Sequence, residues 1–236
     1  MLWYKAWLET RSRFAASLVT LTLVCGLFVH HALTMIRPTW TVDFNRLLYI
    51  TQEFLALLWI LSAVLLGMGG IVYEKAVGTS GLTLSLPVSR VRLQSVRITV
   101  GVLEAAAFGL IPWLTILAVS WRARMPLVLA QVAFYAALLV GGGLVYYAMA
   151  VLVSTVVEGA YSSTAIAIGL VFVTTVALDS WFRQLNLWRF VTGNFYLDVH
   201  TFLLTGHFPW LGMLVCLGVA ALMFVASLLV ILRRDF

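Results

Sequence analysis

Charged residues are scarce in this chain of 236 residues. Lys and Arg number 15 and Asp and Glu number 9, together 10% of the sequence, while 63% of the residues are hydrophobic. Soluble domains carry about 25% charged residues, and the mean hydropathy here is +1.04. The composition therefore excludes a soluble core and predicts a membrane protein with several spanning segments.

The net charge of +6 comes from basic residues scattered one to three per loop. Nucleic-acid binding needs a concentrated basic face with interleaved aromatic residues, and no stretch of the sequence has one. We expect no nucleic-acid partner and interpret the Lys and Arg residues as groups that orient the chain in the membrane.

Residues that carry chemistry are also few. The only cysteines, Cys25 and Cys216, lie inside hydrophobic runs and are expected to be apolar fillers. The four histidines have no acidic or cysteine partner at ligand spacing, so no metal site is predicted. No glycine is followed by lysine, which excludes a nucleotide-binding GxxxxGK[ST] loop. Ser80 has no nearby histidine to activate it as a nucleophile. We expect a chain that is not an enzyme and holds no cofactor of its own.

Hydrophobic runs predict an all-α membrane protein in which residues 1–236 form a single transmembrane domain. Each run is close to the ~20 residues that a bilayer core requires. The six predicted spans cover about 14–33, 54–72, 98–120, 127–153, 163–178 and 210–232. Pro112 is expected to kink the third.

The first 13 residues have helical spacing, with aromatic side chains on one face and the charges of Lys5, Glu9 and Arg13 on another. This pattern is typical of a helix lying flat in the membrane interface, an N-terminal elbow anchored by Trp3, Trp7 and Lys5. The alternative is that these residues extend the first span.

A second segment, 179–209, is too polar to span and too aromatic for a plain linker. It predicts short interfacial or re-entrant helices on the extracytoplasmic side.

The stretch 73–97 is a long polar interruption between the second and third spans. Thr79 can cap a short helix, Pro87 ends it, and Ser89 can cap the next helix. We predict a docking element here, made of an acidic residue, a Gly-Thr pair, three leucines and a step from Pro to Arg. Its site residues are Glu74, Gly78, Thr79, Leu82, Leu84, Leu86, Pro87 and Arg90. A short amphipathic helix between two spans is suited to contact with a partner in the water phase.

Six spans place both chain ends on one side. With the ends and the 73–97 stretch inside, nine Lys and Arg residues lie inside and six outside. This bias predicts a multi-pass protein of the cytoplasmic (inner) membrane with both termini in the cytoplasm.

Glu104 is the acidic residue that the predicted spans place clearly inside the membrane, roughly 10 Å from the cytoplasmic end of the third span. Two interpretations stay open: a polar point on a substrate path or proton-coupled site, or a protonated or hydrogen-bonded carboxyl that holds helices together. The glycines at 67–70 and 141–143 are either hinges or points of close helix approach.

The 73–97 stretch resembles the cytoplasmic loop of ABC-2 type transporter permeases, the membrane subunits of ABC exporters. In that family an acidic residue precedes a Gly-Thr pair, a Leu-rich turn and a Pro-(Val/Ile)-Ser-Arg step, which correspond here to Glu74, Gly78-Thr79, Leu82/Leu84/Leu86 and Pro87–Arg90. The elbow, six spans and aromatic segment before the last span also agree with the family layout.

The resemblance implies a permease dimer, formed with a second copy or a paralogue, and two ATPase subunits that bind ATP and Mg and dock on the 73–90 loop, which acts as a coupling helix. It implies export of a lipid, peptide, antibiotic or polysaccharide-type substrate. The alternative is a non-transport membrane subunit, with an assembly, sensory or mechanotransmission role, that works with an ATPase.

Overall fold

The computed structural model describes residues 2–35, 41–68, 88–122, 124, 127, 129–181, 186–198, 200–204 and 208–233. Its helices in these ranges are α1 (Leu2–Met35), α2 (Thr41–Gly67), α3 (Arg90–Arg122), α4 (Leu129–Val156), α5 (Ala160–Trp181), α6 (Leu187–Thr192) and α7 (Trp210–Arg233). Within the same ranges the only extended pairing is an isolated antiparallel bridge between Leu197 and Leu204. The predicted all-α class is confirmed.

Five helices, α1, α2, α3, α4 and α7, are long and apolar enough to cross a membrane, as a multi-pass membrane protein requires. Even the shortest of them, α7, has 24 residues, about 36 Å at 1.5 Å per residue, against a hydrocarbon core of about 30 Å. α5 is helical over 22 residues. Its apolar part Tyr161–Thr175 is shorter than a span, so a sixth crossing stays a prediction.

The helix directions follow from side-chain pairs. The Thr10–Glu104 contact and the stacked Phe14 and Phe108 rings advance by four residues on both α1 and α3, so these two helices are parallel. α2 runs antiparallel to α1, because Arg13 near the start of α1 reaches Met68 just beyond the end of α2.

α4 runs parallel to α7, because Gly141 approaches Met213 and Tyr147 contacts Phe224 further along both helices. It runs antiparallel to α3, since Trp113 stacks on Tyr135 and Gly101 lies against Tyr147. The starts of α1 and α3 and the ends of α2 and α7 therefore share one end of the bundle. We call it the loop end, because residues 69–87 connect two of these points, and we call the opposite end the cap end.

α4 is the central helix and packs against α2, α3, α5, α6 and α7. Of its apolar window 78% is buried, against 17% for α1. Glycines allow this approach: a Cβ would lie 1.9 Å from Met213 Sδ if added at Gly141, and 2.4 Å from the Trp59 ring if added at Gly143. At Gly67 it would lie 2.8 Å from Ala150 Cβ. These contacts favour close packing over a hinge at Gly67 and 141–143, while Gly69 and Gly70 lie outside the described residues.

The N-terminal residues differ from the predicted elbow. Residues 2–13 continue into α1 without a break, which is the alternative interpretation, because no proline or glycine interrupts the helix there. The 34 residues of α1 extend about 51 Å, well beyond a bilayer core. Whether Trp3, Trp7 and Lys5 anchor it in the interface stays a prediction. Trp3 and Trp7 are exposed, as that role requires.

The second helix begins at Thr41 rather than near residue 54. The predicted span left out charged and polar residues such as Arg46, but a helix of 27 residues is longer than the hydrocarbon core and can carry such groups near its end. As a result Gln52 and Glu53 lie inside a helix. α3 continues as one helix through Pro112, the residue at which a kink was expected.

In the described part of the aromatic segment 179–209, one short helix, α6, follows the end of α5. The Asn186 side chain caps it by accepting from the backbone N–H groups of Trp188 (2.9 Å) and Arg189 (3.4 Å). Gly193, with φ 78°, ends it in the left-handed conformation that glycine adopts without strain. Placement of this segment in a membrane interface stays a prediction.

Candidate functional site

Most of the predicted docking element lies outside the described residues. This applies to Glu74, Gly78, Thr79, Leu82, Leu84, Leu86 and Pro87. The structure does describe the two points between which this stretch runs, Met68 after α2 and Val88-Ser89 before α3. Both belong to the loop end.

The start of α3 is capped as the sequence predicts. The Ser89 hydroxyl accepts from the backbone N–H of Arg92 at 3.3 Å, and the Ser89 carbonyl accepts from Leu93 N–H at 3.1 Å. A cap of this kind fixes the direction in which the chain enters the helix. Arg90, the last of the predicted docking residues, is the first residue of α3.

The end of α2 is held by a side chain of α1. The Arg13 guanidinium donates to the carbonyl oxygen of Met68 and also lies 3.4 Å from that of Leu65. The last carbonyls of a helix have no partner within it, and a cation there also interacts favourably with the helix dipole. α1 therefore holds Met68, the last described residue before the 69–87 stretch.

An ion-pair network joins α1 to α3 nearby. Lys5 Nζ lies 3.5 Å from one oxygen of Glu9, and Arg97 Nη1 lies 3.7 Å from the other. The Lys5–Glu9 pair has the i,i+4 spacing expected from the sequence. Arg13 stands at the same spacing from Glu9, and its guanidinium donates to the end of α2. Pairs this accessible contribute about 0–1 kcal/mol each and are weakened by salt.

Glu104 lies deeper between the same two helices and is 4% exposed. Its Oε1 is 2.6 Å from the Thr10 hydroxyl. Its Oε2 is buried and has no hydrogen-bond partner among the residues that the structure describes. The sequence singled out Glu104 but not Thr10, because nothing in the sequence indicates the packing register of α1 on α3.

One polar side chain of α4 lies close to Glu104, and another buried polar side chain, Gln94, lies ten residues earlier on α3. Tyr147 of α4 is buried with its hydroxyl directly over Gly101, where an added Cβ would lie 1.8 Å away. Gln94 is 2% exposed and its Oε1 has no partner within the described ranges. The polar and charged residues that α1, α3 and α4 carry toward the loop end form what we call the loop-end cluster: Lys5, Glu9, Thr10, Arg13, Gln94, Arg97, Glu104 and Tyr147.

A second polar group, at the cap end, was missed by the sequence analysis. Gln52 is fully buried, donates to the Val191 carbonyl at 2.8 Å, and accepts from the Trp113 indole at 3.0 Å. One position further, Glu53 accepts from the Tyr49 hydroxyl at 2.5 Å. The adjacent pair Gln52-Glu53 after an apolar run is a signal for these positions, but the predicted second span began after it.

The chemistry open to these groups is hydrogen bonding, ion pairing and proton binding. Across the described part of the chain, no three His, Cys, Asp or Glu side chains are grouped to hold a metal ion. Comparison with known proteins finds no matching family model and no matching curated protein.

Proposed function

We propose that this chain is the permease subunit of an ATP-binding cassette exporter and takes mechanical work from a separate ATPase docked on the 73–90 loop. The proposal includes six spans, both termini and the loop in the cytoplasm, and a dimer with a second copy or a paralogue in the inner membrane. ATP and Mg belong to the partner, and Glu74 and the three leucines form the contact with it. The resemblance of the 73–97 stretch to ABC-2 permeases supports this assignment.

The structural observation that supports it best is the anchoring of the stretch at both of its ends. Met68 is held by Arg13 of α1, and Ser89 caps α3. A displacement of the loop would therefore act on α2 and α3 directly, with α1 attached to both. Work is transmitted between subunits through contacts of this kind, in which rigid helices shift as units.

The lengths of α1 and α3 are consistent with such a role. They contain 34 and 33 residues, about 50 Å each, and lie parallel with their starts at the loop end. Both exceed a hydrocarbon core by about 20 Å. The helices α1 and α3, which the Glu9–Arg97 ion pair joins, then extend toward the water phase on the side where the proposed ATPase docks.

The test is recruitment of the ATPase by the full chain. Replacement of Leu82 and Leu86 by Asp places two charges on the proposed apolar contact, and we expect at least a tenfold loss of co-purifying ATPase. The matched control, Arg122→Asp with Arg124→Asp, adds two carboxylates at exposed positions of the cap end and should leave recruitment unchanged.

If Leu82→Asp with Leu86→Asp recruits as much ATPase as the control while both variants fold, the docking assignment is wrong. Stimulation of ATP hydrolysis by a transported substrate, in vesicles that contain the complex, then distinguishes export from a non-transport role.

A further inference from the structure

The buried carboxyl of Glu104 has an unusual set of neighbours. One oxygen meets the Thr10 hydroxyl at 2.6 Å, and the other meets no donor in the described part of the chain. Thr10 is itself buried, and its Oγ1 also lies 3.2 Å from the Ala6 carbonyl and 3.4 Å from the Trp7 carbonyl. The number of protons available to these oxygens limits which of them can donate.

A threonine hydroxyl has one proton to donate and two lone pairs to accept. If that proton goes to Glu104, the contact with the Ala6 carbonyl has none. If it goes to Ala6, the usual back-bond of threonine in a helix, then Glu104 must supply the proton in the 2.6 Å contact. An O–H···O distance of 2.6 Å fits a carboxylic acid as donor as well as a carboxylate as acceptor, so the distance alone leaves both open.

The second oxygen decides between them. A carboxylate shares its charge between both oxygens, and Oε2 of Glu104 would then be a buried, partly charged atom without a donor. That is costly in an apolar interior, and an ionisable group without a compensating partner takes its neutral form there. In the neutral acid, Oε2 is an ordinary carbonyl oxygen, and a buried carbonyl with few partners is far better tolerated.

The surrounding charges are consistent with a neutral carboxyl. The cation that acts on Glu104 is Arg97, two turns earlier on α3, and Arg97 is already paired with Glu9, whose other oxygen faces Lys5. From α4 the neighbouring titratable group is the Tyr147 phenol. α7 presents Phe224 against Tyr147, and α2 has no titratable residue from Phe54 to Gly67.

We propose that Glu104 is a proton-binding site that latches α1 to α3. The neutral carboxyl donates its proton to Thr10 Oγ1, and the Thr10 hydroxyl donates to the Ala6 carbonyl. The latch lies one turn from the stacked Phe14 and Phe108 rings. Loss of the proton leaves a buried carboxylate whose Oε2 has no donor in the described part of the chain, so the start of α1 separates from α3. This proposal does not depend on the exporter assignment.

The first experiment detects the proton itself. Infrared spectra of the full chain in lipid vesicles at neutral pH should contain the carbonyl stretch of a neutral carboxylic acid, and Glu104→Gln should remove it. Glu9→Gln is the matched control, because Glu9 lies on the facing helix in an ion pair and should contribute no such band. A wild-type spectrum identical to that of Glu104→Gln in this region overturns the proposal.

The second experiment detects the latch. Gln at 104 can donate an N–H to Thr10 but has no proton to lose. As the pH rises, amides in the first turns of α1 should exchange hydrogen at least threefold faster in the wild type than in Glu104→Gln. Thr10→Val should show the fast exchange at every pH. Equal exchange in the wild type and Glu104→Gln at all pH values would contradict a proton-controlled latch.

Discussion

The two ends of the bundle are held together by different kinds of interaction. At the cap end, neutral amide side chains bind backbone carbonyls: Asn45 donates to Thr201, Gln52 to Val191, and Gln131 to Leu204, at 3.0, 2.8 and 3.1 Å. At the loop end, charged and titratable side chains join α1 to α2 and α3. Salt and pH hardly affect these three amide bonds of the cap end, whereas both can change the bonds that join α1 to α2 and α3 at the loop end.

This contrast indicates which end is built to stay fixed. Each of these three amide bonds ties the segment after α5 to α2 or α4. The buried Trp113–Tyr135 stack, with centroids 4.9 Å apart, packs beside Gln52. The loop end has accessible ion pairs and one buried carboxyl. The proposed permease function, in which force is received at one end, calls for this asymmetry of a rigid frame and an adjustable contact.

The largest effect is expected at Gln52. Gln52→Leu removes the donor to Val191 and the acceptor of the Trp113 indole, and leaves both polar groups buried without a partner. Each costs about 1–3 kcal/mol, so we expect the free energy of unfolding to fall by about 3 kcal/mol, independently of salt. Denaturant unfolding in detergent measures it.

Gln131→Leu is the control for that measurement. Gln131 makes a comparable pair of bonds, donating to the Leu204 carbonyl and accepting from its N–H at 3.3 Å, but it is only half-buried. Polar groups exposed by this change can bind water or headgroups, so a loss of about 1 kcal/mol is expected. Equal losses for Gln52→Leu and Gln131→Leu would mean that burial does not distinguish the two bonds and would weaken the picture of a fixed frame.

The smallest effect is expected at Asp198, in the turn closed by the Leu197–Leu204 bridge. The His200 backbone N–H and the Thr201 hydroxyl donate to its carboxylate at 3.0 and 2.9 Å and hold the pKa of Asp198 below its usual value. A depressed pKa means that the folded turn favours the ionised form, so its stabilisation is present above the unfolded pKa and is lost as pH falls through the folded one.

Protection of the His200 amide from hydrogen exchange should therefore fall in acid. Asp198→Asn keeps an acceptor but does not titrate, so its protection should not change with pH. If wild type and Asp198→Asn respond to acid alike, the charge on Asp198 does not hold the turn. Such a result would mean that pH does not control the contacts of this turn at the cap end.

The sequence predicts the helices better than their contacts. Apolar runs and scarce charges locate all six long helices, and Ser89 caps α3 as expected, because these features depend on neighbouring residues alone. Helix ends were less predictable. Arg46 lies inside α2 although the predicted span began at about residue 54, because a helix longer than the bilayer core can carry a charged residue near its end.

The cluster at the loop end could be predicted only in part. Lys5–Glu9 follows from i,i+4 spacing, and Glu104 stands out as an acidic residue in an apolar run. Its partner Thr10 is 94 positions away, and that pairing depends on the direction and register of two packed helices. The contact of Arg13 could not be predicted for the same reason. Its spacing from Glu9 indicates an ion pair within α1, whereas its bond to the Met68 carbonyl depends on how α1 packs on α2.

The proposed function depends most on which side of the membrane the loop end faces. Ser89 and His200 are exposed at opposite ends, and the native cysteines Cys25 and Cys216 are buried. In intact cells, a membrane-impermeant maleimide should label His200→Cys but not Ser89→Cys, and permeabilised cells should allow both to react. Labelling of Ser89→Cys from outside intact cells would place the loop end away from any cytoplasmic ATPase and contradict the proposed function.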